Sequence, residues 1–181
     1  MDNKTTKKNK RKKKKMVGIE CEDADVQINQ VTKKGWESSG KSEVTVDSAA
    51  DESVCQKGWG DMFELKEVQE GKEMKLISAN GGKIAHYGRR DVTFEVEGEN
   101  DTKLMGMGFQ VSDVKKPLAS VYRIVEKGNR VQFGPSVADN FIQNVQTGEK
   151  VFMRRKGRSY VLDVEFAKKV NAVSQPFQRQ P

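Results

Sequence analysis

The sequence is poor in the residues that build metal centres and disulfide frameworks. Its 181 residues include two cysteines and one histidine. Cys21 and Cys55 form no close pair beside a histidine-rich segment, so neither a zinc site nor a disulfide framework is indicated. No stretch reaches the apolar length of a membrane span, and charged residues stand where a signal peptide needs its apolar segment. We therefore expect a soluble intracellular protein, nuclear or cytoplasmic, with no membrane partner.

Apolar residues are scarce too, at 35% of the chain against 33% charged residues. This balance predicts a single domain with one modest core. Residues 1–15 hold nine basic side chains and one acidic side chain, a charge of +8, which leaves −1 for residues 16–181 out of the total of +7. The basicity therefore belongs to a terminal arm and not to a folded face.

The basic run at residues 7–15 contains no apolar residue that could anchor it to a core, so we expect it to be disordered. Such runs serve as nuclear localisation signals, as phosphate-binding arms or as solubilising tails, and the composition leaves all three open. Residues 4–15 are accordingly a candidate for non-specific nucleic-acid binding.

Beyond residue 40, short alternating segments recur between glycine-containing turns, a pattern typical of β-strands. The segments are residues 43–46, 74–77, 83–88, 92–98, 105–114, 130–134, 141–145, 149–153 and 160–164. Asn80-Gly81-Gly82 predicts the tip of a hairpin, because glycines fit its turn. Gly106 and Gly108 predict a bulge or a close backbone contact.

One helix is predicted over residues 118–127, with Leu118, Val121, Ile124 and Val125 on one side and Gly128 as its stop. Before residue 41, alternating apolar residues allow an edge strand, while residues 36–40 read as a connection. The sequence therefore predicts the all-β class, mostly β with one short helix.

The segment from residue 44 to residue 54 resembles the active-site signature of retropepsin-like aspartic proteases. In that signature a strand of branched residues ends in Asp-Ser/Thr-Gly-Ala, and here Val44-Thr45-Val46 leads into Asp47-Ser48-Ala49-Ala50. Ala79-Asn80-Gly81-Gly82-Lys83-Ile84 is similar to the hairpin, or flap, of the family. Val111-Ser112-Asp113-Val114, Pro117-Leu118-Ala119-Ser120-Val121 and Val131-Gln132-Phe133 are similar to later elements of Copia-like LTR retrotransposons.

The resemblance implies a retropepsin-like closed β-barrel of the acid protease fold at residues 41–166, with a polybasic tail and linker at 1–40 and a C-terminal tail at 167–181. It implies peptide-bond hydrolysis in an extended peptide or protein substrate, without a cofactor or metal. Asp47 would be the catalytic carboxylate, and one motif per chain implies a homodimer. Ser48 would tie two active-site loops together and Ala50 would back the loop. The flap would comprise Asn80, Gly81, Gly82, Lys83 and Ile84.

Ala49 stands where the family has a glycine that lets two loop backbones approach closely. A methyl group there would spread the two catalytic carboxylates. The alternative to an active endopeptidase is therefore a catalytically inactive retropepsin-like domain that binds protein or peptide or dimerises, beside a nucleic-acid-binding arm. Taken alone, Asp47 and Ser48 also fit an ordinary turn at a strand end. The elements around them favour the protease.

Overall fold

The computed structural model describes residues 27–30 and 36–169. The predicted basic run at residues 7–15, the nucleic-acid contact at residues 4–15 and most of the predicted C-terminal tail lie outside these residues. Within them the protein is mostly β with one short helix, as the alternation of apolar residues predicted.

The strands in chain order are β1 (Gln27–Gln30), β2 (Trp36–Asp47), β3 (Val54–Cys55), β4 (Leu65–Glu67), β5 (Leu76–Ile77), β6 (Lys83–Ile84), β7 (His86–Glu97), β8 (Thr102–Ser112), β9 (Leu118–Ser120), β10 (Asn129–Gln132), β11 (Phe141–Asn144), β12 (Lys150–Phe152), β13 (Arg154–Lys156) and β14 (Ser159–Lys169). The helix α1 (Val121–Glu126) follows β9 directly, and a single 3-10 turn, Val137–Asp139, precedes β11.

The largest sheet has nine strands in the order β1-β8-β3-β9-β2-β14-β7-β4, with β13 paired to β14. β7 and β8 also pair along most of their length, so the succession of pairings returns to β8. β2 lies between β9, which is parallel to it, and β14, which is antiparallel. The end of β2 is therefore bordered by two elements that lie far from it in the sequence.

The prediction that residues 36–40 form a connection is wrong, because β2 already begins at Trp36. The pairing of β2 with β14 shifts register between Glu165 and Ala167, which is a β-bulge. Gly40 lies at this bulge with φ +84°, a left-handed conformation that glycine adopts readily. The glycine that looked like a linker residue thus lets one long strand continue.

The helix is shorter than predicted, because residues 118–120 form β9 and α1 begins at Val121. Leu118 and Ala119 pair with β2, so pairing with the strand overrides their helical spacing. Ile124 is buried whereas Val125 is 50% exposed, so the predicted apolar side is only partly covered. Gly128, at φ +83°, ends the helix as predicted.

The core lies on the inner faces of β2, β7, β8 and β14 and is organised around Trp59. The Trp59 ring packs edge-on against Phe109 and Phe166, with centroids 4.8 and 5.0 Å away. Its Nε1 donates a hydrogen bond to Ser42 Oγ at 2.9 Å, so the indole is satisfied while buried. Arg90 donates to the carbonyl oxygens of Lys57 and Trp59, which fixes the segment carrying the indole against β7.

The part of the chain that the structure describes holds no helix that could span a lipid bilayer, since α1 has only six residues.

Candidate functional site

Asp47 is the last residue of β2, and alternation along that strand decides which way it faces. Val44 and Val46 are buried in the core, at 0% and 5% exposure. Successive residues of a strand face opposite sides, so Thr45 and Asp47 face away from this core. The Asp47 Oδ1 atom accepts a hydrogen bond from the Ala49 backbone N–H at 2.8 Å, which closes the turn after the strand.

A cleft of about 530 Å³ opens beside Asp47. β2, β9, β14, the segments next to them and the residue after β10 supply its walls. The lining residues are Thr45, Val46, Asp47, Ser48, Lys116, Leu118, Phe133, Arg158, Ser159 and Tyr160. This volume lies within the range of small-ligand and peptide side-chain sites. A carboxylate at the edge of a partly apolar cleft is an arrangement that could act on a bound polar group.

The loop after Asp47 is held by Ser120, the last residue of β9. Asp47 and Ser120 are partners in the parallel pairing of β2 with β9. The fully buried Ser120 hydroxyl donates a hydrogen bond to the Ala50 carbonyl at 2.6 Å, and its backbone N–H donates to Ser53 Oγ at 2.9 Å. The same hydroxyl accepts from the Arg123 N–H at 3.3 Å as the N-cap of α1. One side chain thus joins the loop to the helix.

A second link between the loop and the helix is ionic. Arg123 donates from Nε to the Glu52 carboxylate at 3.1 Å and from Nη2 to its other oxygen, and Nη1 pairs with Glu126 at 2.8 Å. These hydrogen bonds, first to Glu52 and then to Glu126, raise the pKa of Arg123 above its usual value. Arg123 is charged at every pH at which the protein is folded, so the link depends only on the ionisation of its partners.

Ser48 and Ala49 form the exposed outer surface of the loop. No residue other than glycine adopts a positive φ among the described residues, so Ala49 imposes no left-handed strain. Within a single chain the Ala49 methyl group is therefore tolerated without distortion. The methyl group can therefore affect only a second molecule that contacts this exposed surface.

The predicted hairpin of residues 80–84 is present as a turn between β5 and β6. Gly81 has φ +84°, and the Ser78 N–H donates to the Gly82 carbonyl at 2.8 Å. None of these residues lines the cleft beside Asp47. The base of the hairpin is tied to the chain entering β9, because the Asp113 N–H donates to the Ala85 carbonyl at 3.3 Å. The hairpin and the cleft beside Asp47 are thus linked through residues 113–117, although the hairpin itself does not line the cleft.

Cys55 and His86, the other candidates for nucleophilic catalysis, are engaged elsewhere. Burial raises the pKa of the fully buried Cys55 thiol to about 12, so it is not a thiolate nucleophile at neutral pH. The His86 Nδ1 atom accepts from the Met74 N–H at 3.0 Å, and Nε2 lies 2.8 Å from Gln110 Oε1. Residues 27–30 and 36–169 contain no group of three ligating side chains that could hold a metal ion.

Comparison with protein-family models, with curated proteins and with solved structures found no match to this chain. Ser53 and Arg123 were missed in the sequence, because their roles depend on contacts with distant residues. Ser120 was recognised only as a motif residue, although serine at a position just before a helix is a signal for an N-cap.

Proposed function

We propose that residues 41–166 form a retropepsin-like aspartic endopeptidase domain of retroelement origin, which hydrolyses peptide bonds as a homodimer. Asp47 from each subunit would supply one carboxylate of the catalytic pair. The ring of strand pairings through β8, β3, β9, β2, β14 and β7 supports the finer proposal of a closed barrel of the acid protease type.

The pairing of Asp47 with Ser120 is the observation that carries this proposal. The two motifs on which the resemblance rests are separated by about 70 residues in the sequence, yet they meet directly, through the hydrogen bond from Ser120 to Ala50. An unrelated aspartate at a strand end has no reason to lie beside the second motif. The same contacts hold the loop in a fixed position, and catalysis requires a carboxylate held in this way.

The chemistry follows from placing two such carboxylates close together. Both cannot comfortably ionise at short distance, so the pair would share one proton. The ionised member would take a proton from a water molecule that attacks the peptide carbonyl, and the protonated member would donate to the carbonyl oxygen. The Ser48 and Ala49 surface next to Asp47 is exposed in the single chain and is therefore accessible to a second copy.

The hypotheses of an active enzyme and of a catalytically inactive one differ in the effect of Ala49. Its methyl group is exposed in the single chain, and in a dimer it would lie where two loops approach. The second hypothesis, a catalytically inactive domain of the same fold that dimerises or binds peptides, differs from the first only in whether that contact keeps the two carboxylates in reach of one water molecule.

The test is cleavage of an unfolded protein such as casein at mildly acid pH by the full chain, with the oligomeric state measured by sedimentation in the same buffer. Asp47→Asn is expected to abolish cleavage. Asp61→Asn is the matched control, because Asp61 is exposed, lies outside the cleft and makes the same change in charge. Cleavage that survives in Asp47→Asn would overturn the proposal, and a verified dimer that cleaves nothing would establish the silent fold.

A further inference from the structure

One part of the wall of the cleft beside Asp47 is apolar and aromatic. The Phe133 and Tyr160 rings contact each other with centroids 4.6 Å apart and planes tilted by 53°, and Leu118 lies on the β9 side. Phe133 is nevertheless 39% exposed. A large aromatic side chain left open to water at the wall of a cleft is suited to packing against an apolar group of a bound molecule.

The two cations at this cleft, Lys116 and Arg158, lack partners, unlike two other cations on the β13–β14 hairpin that carries Arg158. Arg154 pairs with Asp163 at 2.8 Å and Lys156 pairs with Glu43 at 2.5 Å. Lys116 and Arg158, by contrast, are exposed and have no carboxylate partner among the residues that the structure describes. The only acidic side chain lining the cleft is Asp47. The rim of the cleft is therefore positive and open to an incoming acidic group.

The two cations lie on opposite sides of Asp47. Lys116 is two residues before Leu118, which pairs with Thr45 on the β9 side of β2. Arg158 is two residues before Tyr160, which pairs with Val46 on the β14 side. Strands are spaced about 4.8 Å apart, so β9 and β14 are separated by about 10 Å across β2. β9 runs parallel to β2 and β14 antiparallel to it, so Lys116 lies toward the level of Glu43 and Arg158 toward the level of Ser48. The two cations are therefore also offset along the strands, and an extended peptide of about six residues spans the combined distance.

We propose that this cleft selects extended peptide segments in which a large apolar side chain lies between two acidic residues about six positions apart. The apolar side chain would pack on Phe133 and Leu118, and the two carboxylates would pair with Lys116 and Arg158. The role of such segments as substrates rests on the proposed function. Their binding does not, because it uses side chains other than Asp47.

A peptide fits this cleft better than a nucleic acid does. Basic residues beside exposed aromatic rings also bind single strands. Here, however, the Asp47 carboxylate lies between the two cations and would repel a phosphate backbone. A peptide backbone is neutral, and its acidic groups are needed only at the two rim positions.

The test is fluorescence anisotropy of a labelled peptide, Glu-Ala-Ala-Phe-Ala-Ala-Glu within an uncharged flank, with the full-length Asp47→Asn protein to prevent cleavage. Lys116→Glu combined with Arg158→Glu is expected to weaken binding about tenfold, roughly threefold for each exposed ion pair. The double variant should bind the peptide with glutamine in place of both glutamates almost as tightly as the parent protein does. A peptide with lysine at both positions should bind the double variant better than it binds the parent.

Two controls isolate the cleft. Residues 1–15 are present in every variant, so attraction of acidic peptides to the basic run cancels in the comparison. Lys72→Glu combined with Lys75→Glu makes the same change in net charge away from the cleft and should leave binding unchanged. Phe133→Ala should weaken the glutamate and glutamine peptides alike, by about fivefold, because it removes the apolar contact that both of them make.

Equal losses for the glutamate and glutamine peptides in the Lys116 and Arg158 double variant would overturn this inference. So would a 15-residue oligothymidylate that binds the chain with Asp47 intact and whose binding depends on the same two cations more strongly than peptide binding does. Charge-dependent peptide binding by a protein that cleaves nothing would leave the inference intact and would reject the proposed function. Cleavage that depends on Asp47 but proceeds equally well without acidic residues at the two positions would support the proposed function and reject this inference.

Discussion

Replacing Ser120 by alanine tests whether the loop that carries Asp47 is held from the neighbouring strand and helix. The Ser120 hydroxyl makes a hydrogen bond of 2.6 Å to the Ala50 carbonyl and a longer cap of 3.3 Å to the Arg123 N–H. Leaving the Ala50 carbonyl without this donor should cost about 1.5 kcal/mol, in the lower half of the range for such groups because the carbonyl is only partly buried. The long cap should add about 0.5 kcal/mol, the low end for N-caps.

The expected loss is therefore about 2 kcal/mol, most of it from the loop contact. With a denaturant dependence of about 2 kcal/mol per molar urea, the unfolding midpoint should fall by about 1 M. Ser39→Ala is the control, because Ser39 is exposed, and it should change stability by less than about 0.5 kcal/mol. A fall in the midpoint for Ser120→Ala no larger than that for Ser39→Ala would refute the assigned anchoring role.

Three other changes test separate features of the structure. Ala49→Gly should raise kcat/KM about tenfold by letting two loops approach, while costing about 0.5–1 kcal/mol of stability, and unchanged cleavage would contradict this. In a Cys21→Ser background, Cys55 should react with a disulfide reagent at pH 8 more than about 100-fold faster in urea than when folded, because burial raises its pKa to about 12; equal rates would contradict the burial. The hydrogen bond from Arg154 lowers the pKa of Asp163 below its ordinary 3.8, so this pair should stabilise the fold above that pH and cease to do so as the pH falls through the lowered value. Asp163→Asn should accordingly lower the urea midpoint at pH 7 and lower it progressively less as the pH falls below 3.8, and an effect that does not change with pH would contradict the assignment.

Local pattern predicted most strands but not where two of the elements begin. Alternation and turn glycines indicated β7, β8 and the hairpin at Gly81 correctly, because these depend on neighbouring residues. Trp36 belongs to β2 only because a bulge at Gly40 lets the strand continue along β14. Leu118 is a strand residue only because β2 lies beside it. Both outcomes were decided by a partner more than 70 residues away, which local spacing does not record.

Some features of the candidate site could likewise be predicted from the local sequence, and others could not. Asp47 at the end of a branched strand could be predicted from its motif. The support of its loop by Ser120, and the cleft walls contributed by Phe133 and Tyr160, could not, because β14 reaches β2 from the other end of the chain. The motif predicted that Asp47 ends a strand, and the long-range pairing determined the surroundings of Asp47.

A mixing experiment tests the central claim, that two Asp47 carboxylates form one site, most directly. A fixed amount of the unaltered chain is mixed with increasing amounts of Asp47→Asn protein, allowed to exchange subunits, and assayed for cleavage. A shared site predicts that activity falls in proportion to the fraction of unaltered chain, to about one half at equal amounts and about one quarter at threefold excess, because mixed dimers carry one carboxylate. Activity that stays constant at every ratio would contradict the claim.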